Sequence, residues 1–289
     1  MKKFGILLLG CLIFNTLTAA TPIEYRQFFA RVGAHEITLR RIDYSNRTTR
    51  YLVLNTIDFS TRIVHRIPRS AVEQDSVDKL ADSSAYFTIR KQIEGNPEFY
   101  ASGIGRFERV DGVVLSGDLC PSSKAGIEQT VIDSLAKSKK STLYVCISGR
   151  WIDRHPDELK KLRHETINIV WVNHSLTHRY EKKENANEDF LCLPNTDLQA
   201  EVLGMERKMF ELGLMPSPFF RYPGLISSPA VANYVISLGL IPLGAQAWLA
   251  KGENPRQGSV VLIHLNRNEP LGISLFFENK NTYPIRPIR

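Results

Sequence analysis

The sequence predicts an α/β fold: a parallel sheet built from strand–helix units, with a smaller β-rich stretch in front of it. Three observations lead there. From Gly112 onward, short apolar runs alternate with amphipathic stretches that carry helix caps and glycine stops. Before that point, residues 21 to about 70 alternate apolar and polar side chains in short runs, the period of half-buried strands. The composition is that of an ordinary globular chain, 43% hydrophobic and 23% charged over 289 residues, ample for a sizeable core.

The elements follow in order. Tyr51-Leu52-Val53-Leu54 and Arg62-Ile63-Val64-His65 read as strands, with a turn at Asp43-Tyr44-Ser45-Asn46-Arg47 between earlier runs. Residues 73 to 93 read as an amphipathic helix. Val113-Val114-Leu115 opens the parallel sheet, and a helix follows over residues 123 to 139. Thr142 to Ile147 is a strand, Pro156 to Arg163 a helix, and Thr166 to Val172 a strand. Asn195-Thr196-Asp197 caps a long helix from Asp197 to Leu212, which Gly213 ends. Pro218 to Phe220 is a short strand and Pro229 to Leu238 a helix stopped by Gly239. Leu240 to Ala245 and Ser259 to His264 complete the strands.

Charge and hydropathy exclude several classes. The 37 Lys and Arg outweigh 30 Asp and Glu for a net +7, but the basic residues are scattered and no aromatics interleave them. No nucleic-acid partner is expected, whereas a mildly basic chain suits an anionic envelope polymer. One segment alone approaches a membrane span. Lys2 and Lys3 precede an apolar run from Phe4 to Phe14, and Thr18-Ala19-Ala20 supplies small residues for cleavage. Residues 1–20 therefore read as a signal peptide, too short in its apolar run to anchor. The expected chain is exported, to the periplasm or beyond, with no stable membrane span after cleavage. Leu8-Leu9-Gly10-Cys11 loosely resembles a lipobox, which leaves lipoprotein processing at Cys11 as the alternative.

Cleavage leaves Cys120, Cys146 and Cys192, with no CxxC and no zinc-finger spacing. A disulfide between Cys120 and Cys146, which fall on or after successive strands, and a set of buried thiols are both open readings.

In parallel α/β folds chemistry gathers just beyond strand C-termini. Asp118 lies just past the first such strand, His174 and His178 past the third, Arg221 after Phe219-Phe220, and His264 ends the last. His-x-x-x-His on one helical turn would aim both imidazoles at one metal ion, and an acidic residue from another strand end would complete a facial set. His35, His65, His155 and His164 have no such setting.

On these residues the chain resembles the polysaccharide deacetylases, the NodB-homology group of carbohydrate esterase family 4, over roughly 113–280. His174-Ser175-Leu176-Thr177-His178 matches the family's His-[Ser/Thr]-x-x-His motif and is preceded by Asn173. Arg221-Tyr222-Pro223 matches Arg-x-Pro, and Leu262-Ile263-His264 matches the closing Leu-x-His. Tyr144 to Trp151 and His155-Pro156 fit the stretch between motifs. The resemblance implies a distorted (β/α)7 barrel over residues 111–289, with residues 21–110 as a small β-rich N-terminal extension.

The resemblance also implies roles. The family's first motif carries two aspartates, a catalytic base and then a metal ligand, in Thr-Phe-Asp-Asp-Gly-Pro. Here one remains: aligned on Pro121 and Ser122, Asp118 is the base and Leu119 stands at the ligand position. A shift by one residue would make Asp118 the ligand and leave Gly117 at the base. The metal, zinc foremost with cobalt, nickel or manganese as alternatives, would rest on His174 and His178. Arg221 would pair with Asp118, and His264 would protonate the leaving group. The fourth motif keeps its tryptophan as Trp248 but lacks its carboxylate, so Gln246 would orient His264. Tyr222 and Trp248 would wall the substrate. The implied activity is removal of acetyl groups from a polysaccharide, with peptidoglycan or poly-N-acetylglucosamine as natural substrates. Leu119 and the missing fourth-motif carboxylate motivate a second reading, a catalytically weak or inactive glycan-binding domain, and a third is a related C–N hydrolase acting on a non-sugar amide.

Overall fold

The computed structural model describes residues 22–121, 126–138, 141–182, 185 and 188–288. The leader with Cys11, and Ser122 of the first motif, lie outside them. The N-terminal stretch forms an antiparallel meander of four strands, β1 (Pro22–Gly33), β2 (Glu36–Tyr44), β3 (Thr49–Asn55) and β4 (Thr61–Val64). The expected turn after Asp43 joins β2 to β3, with Arg47 at positive φ and its N–H donating to the Tyr44 carbonyl at 2.9 Å.

The helix expected over 73 to 93 is shorter. Helix α1 spans Ala85–Glu94, and only a single 3-10 turn, Val77–Leu80, precedes it. The reason is local. The Gln74 N–H donates to the Phe29 carbonyl, which pins the chain along β1. The Ser84 N–H then donates to Asp82 in an Asx turn, so the helix begins only at Ala85. Helix α2 (Pro97–Ser102) follows, capped by the Asn96 side chain.

Seven strands then form one parallel sheet: β5 (Val114–Leu119), β6 (Thr142–Ile147), β7 (Asn168–Asn173), β8 (Pro216–Phe220), β9 (Ile241–Pro242), β10 (Ala247–Trp248) and β11 (Val260–His264). Their order is β10-β11-β5-β6-β7-β8-β9, the curled sheet of a distorted (β/α) barrel. The accompanying helices are α3 (Gln129–Ala136), α4 (Gly149–Arg154), α5 (Pro156–Leu162), α6 (Met205–Glu211), α7 (Pro229–Ser237) and, after the last strand, α8 (Pro270–Asn279).

Period-2 alternation sorts the strand residues onto two cores. Leu115, Val145 and Ile263 face outward onto Val131, Trp151, Met205 and Phe276 of the surrounding helices. Val114, Tyr144, Phe219 and Val260 face inward and pack on Phe29, Ile37, Leu39 and Leu54 of the N-terminal sheet and Tyr86 and Phe87 of α1. The inner face of the barrel is thus filled from the N-terminal region.

That region also closes the sheet. Leu240 to Ala245, expected as one strand, pairs only at Ile241–Pro242, because the chain then turns to other partners. The Ile104 N–H donates to the Pro242 carbonyl and the Gly244 N–H to the Ile104 carbonyl, both at 2.9 Å, while the Val260 N–H reaches Gly105 at 2.8 Å. Residues 103 to 105 thereby bridge β9 and β11. Such close backbone approach needs glycine: a Cβ on Gly103, at φ +85°, would lie 2.6 Å from the Gly244 nitrogen.

A buried ion pair joins the two layers. Arg40 on β2 donates from Nε and Nη2 to both carboxylate oxygens of Glu206 on α6, at 2.7 and 2.9 Å, and from Nη1 to the carbonyls of Leu39 and Leu238. The Tyr25 hydroxyl adds a donor to Glu206 at 3.1 Å. Both charged side chains are withdrawn from solvent, so the bidentate geometry and the added bonds are what make the pair tolerable. No helix among the described residues is long and apolar enough to cross a membrane.

Candidate active site

Five strand ends converge. Asp118 lies within β5, one residue before its end, not beyond it as the sequence suggested. Its side chain points to the inner face with Val114 and Ser116, since alternate residues share a face. Asp118 Oδ1 lies 3.5 Å from Arg221 Nη1, and Oδ2 lies 3.7 Å from His174 Nε2. Arg221 follows β8, is fully buried, and is fixed by a 2.8 Å bond from Nη2 to the Ser116 hydroxyl. Burial pushes the Asp118 carboxyl up, but Arg221 first, then His174 and His264, outweigh it and hold the group below the ordinary carboxylate range.

His174 and His178 do not share a helical turn. The segment is a loop with Ser175 and His178 in the left-handed region. The rings still meet edge to face, 4.7 Å apart. Three supports shape this loop. The N–H groups at the start of α4 bind it: Gly149 donates to Ser175 and Arg150 to Leu176. Glu201 accepts the Leu176 N–H on its carbonyl and the Thr177 N–H on its carboxylate. Asn173 donates to the Val202 carbonyl and accepts the Ser175 N–H. Glu201 and Val202 belong to Ala200–Gly204, where the predicted long helix opens into a π turn before α6. The Asp197 cap is present, with its carboxylate accepting the Ala200 N–H. The Glu201 and Val202 carbonyls on this wider turn thus also accept from the histidine loop.

The histidines are held in the ligating form. His174 Nδ1 lies 2.9 Å from the Arg221 carbonyl, which can only accept, so Nδ1 carries the proton and Nε2 is left with its lone pair. Burial lowers His174 to about 4 and His178 to about 3, with repulsion from His174 adding to the latter. Both imidazoles are neutral at neutral pH. His178 Nε2 is buried without a hydrogen-bond partner, and the Phe190 ring packs 5.2 Å from its ring centre.

The cysteines are free, which removes the disulfide alternative. Cys120 instead joins the site: its sulfur lies 3.5 Å from His174 Nε2. Donor atoms of Cys120, His174 and His178 all lie within 4.8 Å of one another. Burial and the Asp118 charge raise the Cys120 thiol well above its ordinary value. Leu119, by contrast, points to the outer core and is fully buried there. The donor set and the unpartnered His178 nitrogen fit a divalent ion of the zinc type.

The other half of the site is built at β11. His264 Nδ1 lies 2.7 Å from Glu269 Oε2, and the same oxygen accepts the Trp248 indole N–H at 2.6 Å. Burial pushes the Glu269 carboxyl up, yet the bonds from His264 and Trp248 hold it below its ordinary value. The expected partner Gln246 is elsewhere: its oxygen accepts from the Ser259 hydroxyl and Arg256. The missing carboxylate is therefore supplied by Glu269, from the loop leading into α8. Trp248 flanks His264 with ring centres 5.8 Å apart and carries Lys251 over its face at 3.7 Å. Tyr222 is not a wall of the site. Its ring is buried in the core beside Phe220, away from solvent. Of the loop from Glu181 to Asp189, the described part is tied back by the Glu181 N–H donating to Asp189.

No family model matches the chain. Solved structures do resemble it. A family 4 carbohydrate esterase from Bacillus anthracis superposes with a TM-score of 0.50 at 16% identity, over 71% of this chain and 90% of that one. PdaA of Bacillus subtilis, also a family 4 carbohydrate esterase, gives 0.48 at 17% identity over 69% and 86%. A family 4 pseudoenzyme from Bacillus anthracis gives 0.46 at 14% identity over 63% and 66%. The chain has the fold of a family 4 carbohydrate esterase.

Proposed function

We propose that this chain is an exported, metal-dependent hydrolase that removes acetyl groups from an N- or O-acetylated envelope or extracellular polysaccharide, with peptidoglycan or a poly-N-acetylglucosamine as substrate. In this reading residues 1–20 direct export, 21–110 support the barrel, and 111–289 carry the chemistry. One observation carries it: an ionised Asp118, with the buried Arg221 guanidinium 3.5 Å away, stands beside a carboxylate-held His264 and a pair of neutral, buried histidines. A glycan-binding surface needs no aligned base and acid.

In this reading each residue has a role. His174 and His178 would hold the ion, which when bound supplies a positive charge that polarises the acetyl carbonyl and acidifies water. Asp118, kept ionised, accepts the proton of the attacking water. Arg221 holds Asp118 in place and keeps it ionised. His264 donates Nδ1–H to Glu269, so its Nε2 is the nitrogen that delivers a proton to the departing amine or alcohol. Trp248 covers that histidine, and a sugar ring would pack at its exposed edge.

The test is acetate release from peptidoglycan and from acetylated chitooligosaccharides, with and without chelation. Chelator-sensitive release that zinc restores is the expected result. Metal binding without release from either glycan would favour a non-sugar amide. Neither binding nor release would favour the inactive glycan-binding reading that Leu119 motivates.

A further inference from the structure

We infer that Cys120 is a metal ligand, so that this site binds its ion through one thiolate and two imidazoles and prefers zinc or cobalt to magnesium or manganese. The inference rests on the metal-dependent reading above and deepens it by fixing the ligand class.

Strand alternation places the sulfur. Asp118 points inward from β5, Leu119 outward, and Cys120 inward again beside His174 Nε2 at 3.5 Å. Leu119 cannot turn in, because it is fully enclosed by the outer apolar core. The unpartnered, buried His178 Nε2 belongs to the same cluster, within 4.8 Å of the other donors. Among the described residues this is the one group of three His, Cys, Asp or Glu donors arranged to hold an ion. Asp118 is engaged by Arg221 and stays available as the base.

The substitution changes the chemistry of the ion, not only the address of a ligand. A carboxylate oxygen is a hard donor that suits magnesium and manganese; a thiolate is soft and suits zinc and cobalt. Binding breaks the Cys120 S–H bond, forms a metal–sulfur bond, and releases the proton to solvent. Cys146, buried on β6 with its thiol against Asp118, is the control for a neighbouring thiol that is not a ligand.

Cobalt(II) titration of the purified full chain tests this without reference to activity. The expected result is a thiolate-to-cobalt charge-transfer band in the near ultraviolet that saturates at one equivalent. It should vanish in Cys120→Ser and persist in Cys146→Ser. Partners that merely surround a metal ligand are worth on the order of 10–100-fold in affinity. Loss of the direct ligand should thus weaken zinc binding more than about tenfold, while Cys120→Asp should regain manganese binding without the band. Should Cys120→Ser fail to fold, X-ray absorption at the zinc edge of the unmodified chain, which reads a sulfur neighbour at about 2.3 Å from the ion, gives the same reading. Cobalt bound to the folded chain with no such band would overturn the inference and leave the hydrolase reading intact. No cobalt or zinc binding at all would overturn both. A band without acetate release would support the ligand assignment and remove the deacetylase reading.

Discussion

His264 stands in register with Asp118, the last hydrogen-bonded pair of β11 and β5. Neighbouring strands therefore bring the proposed acid and base side by side at one end of the sheet. Proton transfer by a positioned group is worth about 10²–10⁴ in rate. Asp118→Asn should lower kcat for acetate release by about that factor, with the circular dichroism spectrum unchanged. Full activity in a folded Asp118→Asn chain would remove the base role.

Glu269 should matter in two ways. A hydrogen bond to a charged group contributes about 1.5–3 kcal/mol, which is about 10–100-fold in rate if it is used in the transition state. Glu269→Gln should reduce kcat by that order while leaving KM nearly unchanged. The second effect is on stability. The folded carboxyl is held below its ordinary value, so its contribution is present above the unfolded pKa, about 4.3, and is lost as pH falls through the lower folded value. Thermal melts of the parent chain should lose that contribution on acidification below about pH 4.3, and Glu269→Gln should lack this component.

Gly149 tests the support of the histidine loop. A Cβ at this position would lie 2.6 Å from the Leu176 carbonyl oxygen, which is backbone and cannot swing aside. Gly149→Ala should cost about 1–3 kcal/mol, typical of overpacking, and should weaken zinc binding as His174 and His178 move apart. Isothermal titration with zinc and a thermal melt read both effects; an unchanged zinc affinity would show that the loop is set by Glu201 and Asn173 alone.

The Arg40–Glu206 pair gives a prediction remote from the chemistry. Removing one partner leaves a buried charge alone, at a cost of about 3–5 kcal/mol. Arg40→Ala should therefore lower the denaturation midpoint sharply, while the double change Arg40→Met with Glu206→Leu should recover most of the loss. Equal destabilisation in the single and double variants would mean that packing, not charge, sets the cost.

Much of this was legible in the sequence because it depends on local patterns. Alternating strand and helix signals mark the parallel sheet, and Thr142 to Ile147 matches β6 at both ends. His174, His178, Arg221 and His264 stand at strand ends, where the fold gathers chemistry. What was illegible depends on side-chain direction and on chain return. Linear alignment puts Leu119 at the ligand position, whereas the period of two, carried one residue past β5, turns Leu119 to the outer face and Cys120 to the inner one. Glu269 lies outside every motif, because it reaches His264 by a turn after β11 and not by a neighbouring strand. The shape of the histidine loop is likewise nonlocal. Its backbone is held by Gly149 and Glu201, which are far apart in sequence, so a helical turn was the natural but incorrect expectation.

The Arg40 contacts also have a temporal side. Its partners are 166 and 198 residues further along the chain, Glu206 and the Leu238 carbonyl. A ribosome makes the first sheet long before either exists. Until then β2 carries an unmatched guanidinium and an apolar face meant for β6 and β8. Contacts of such sequence separation are slow to form, and exposed strand surfaces are prone to pair with the wrong partner while they wait. The N-terminal third therefore depends on being kept apart from other chains until both partners exist.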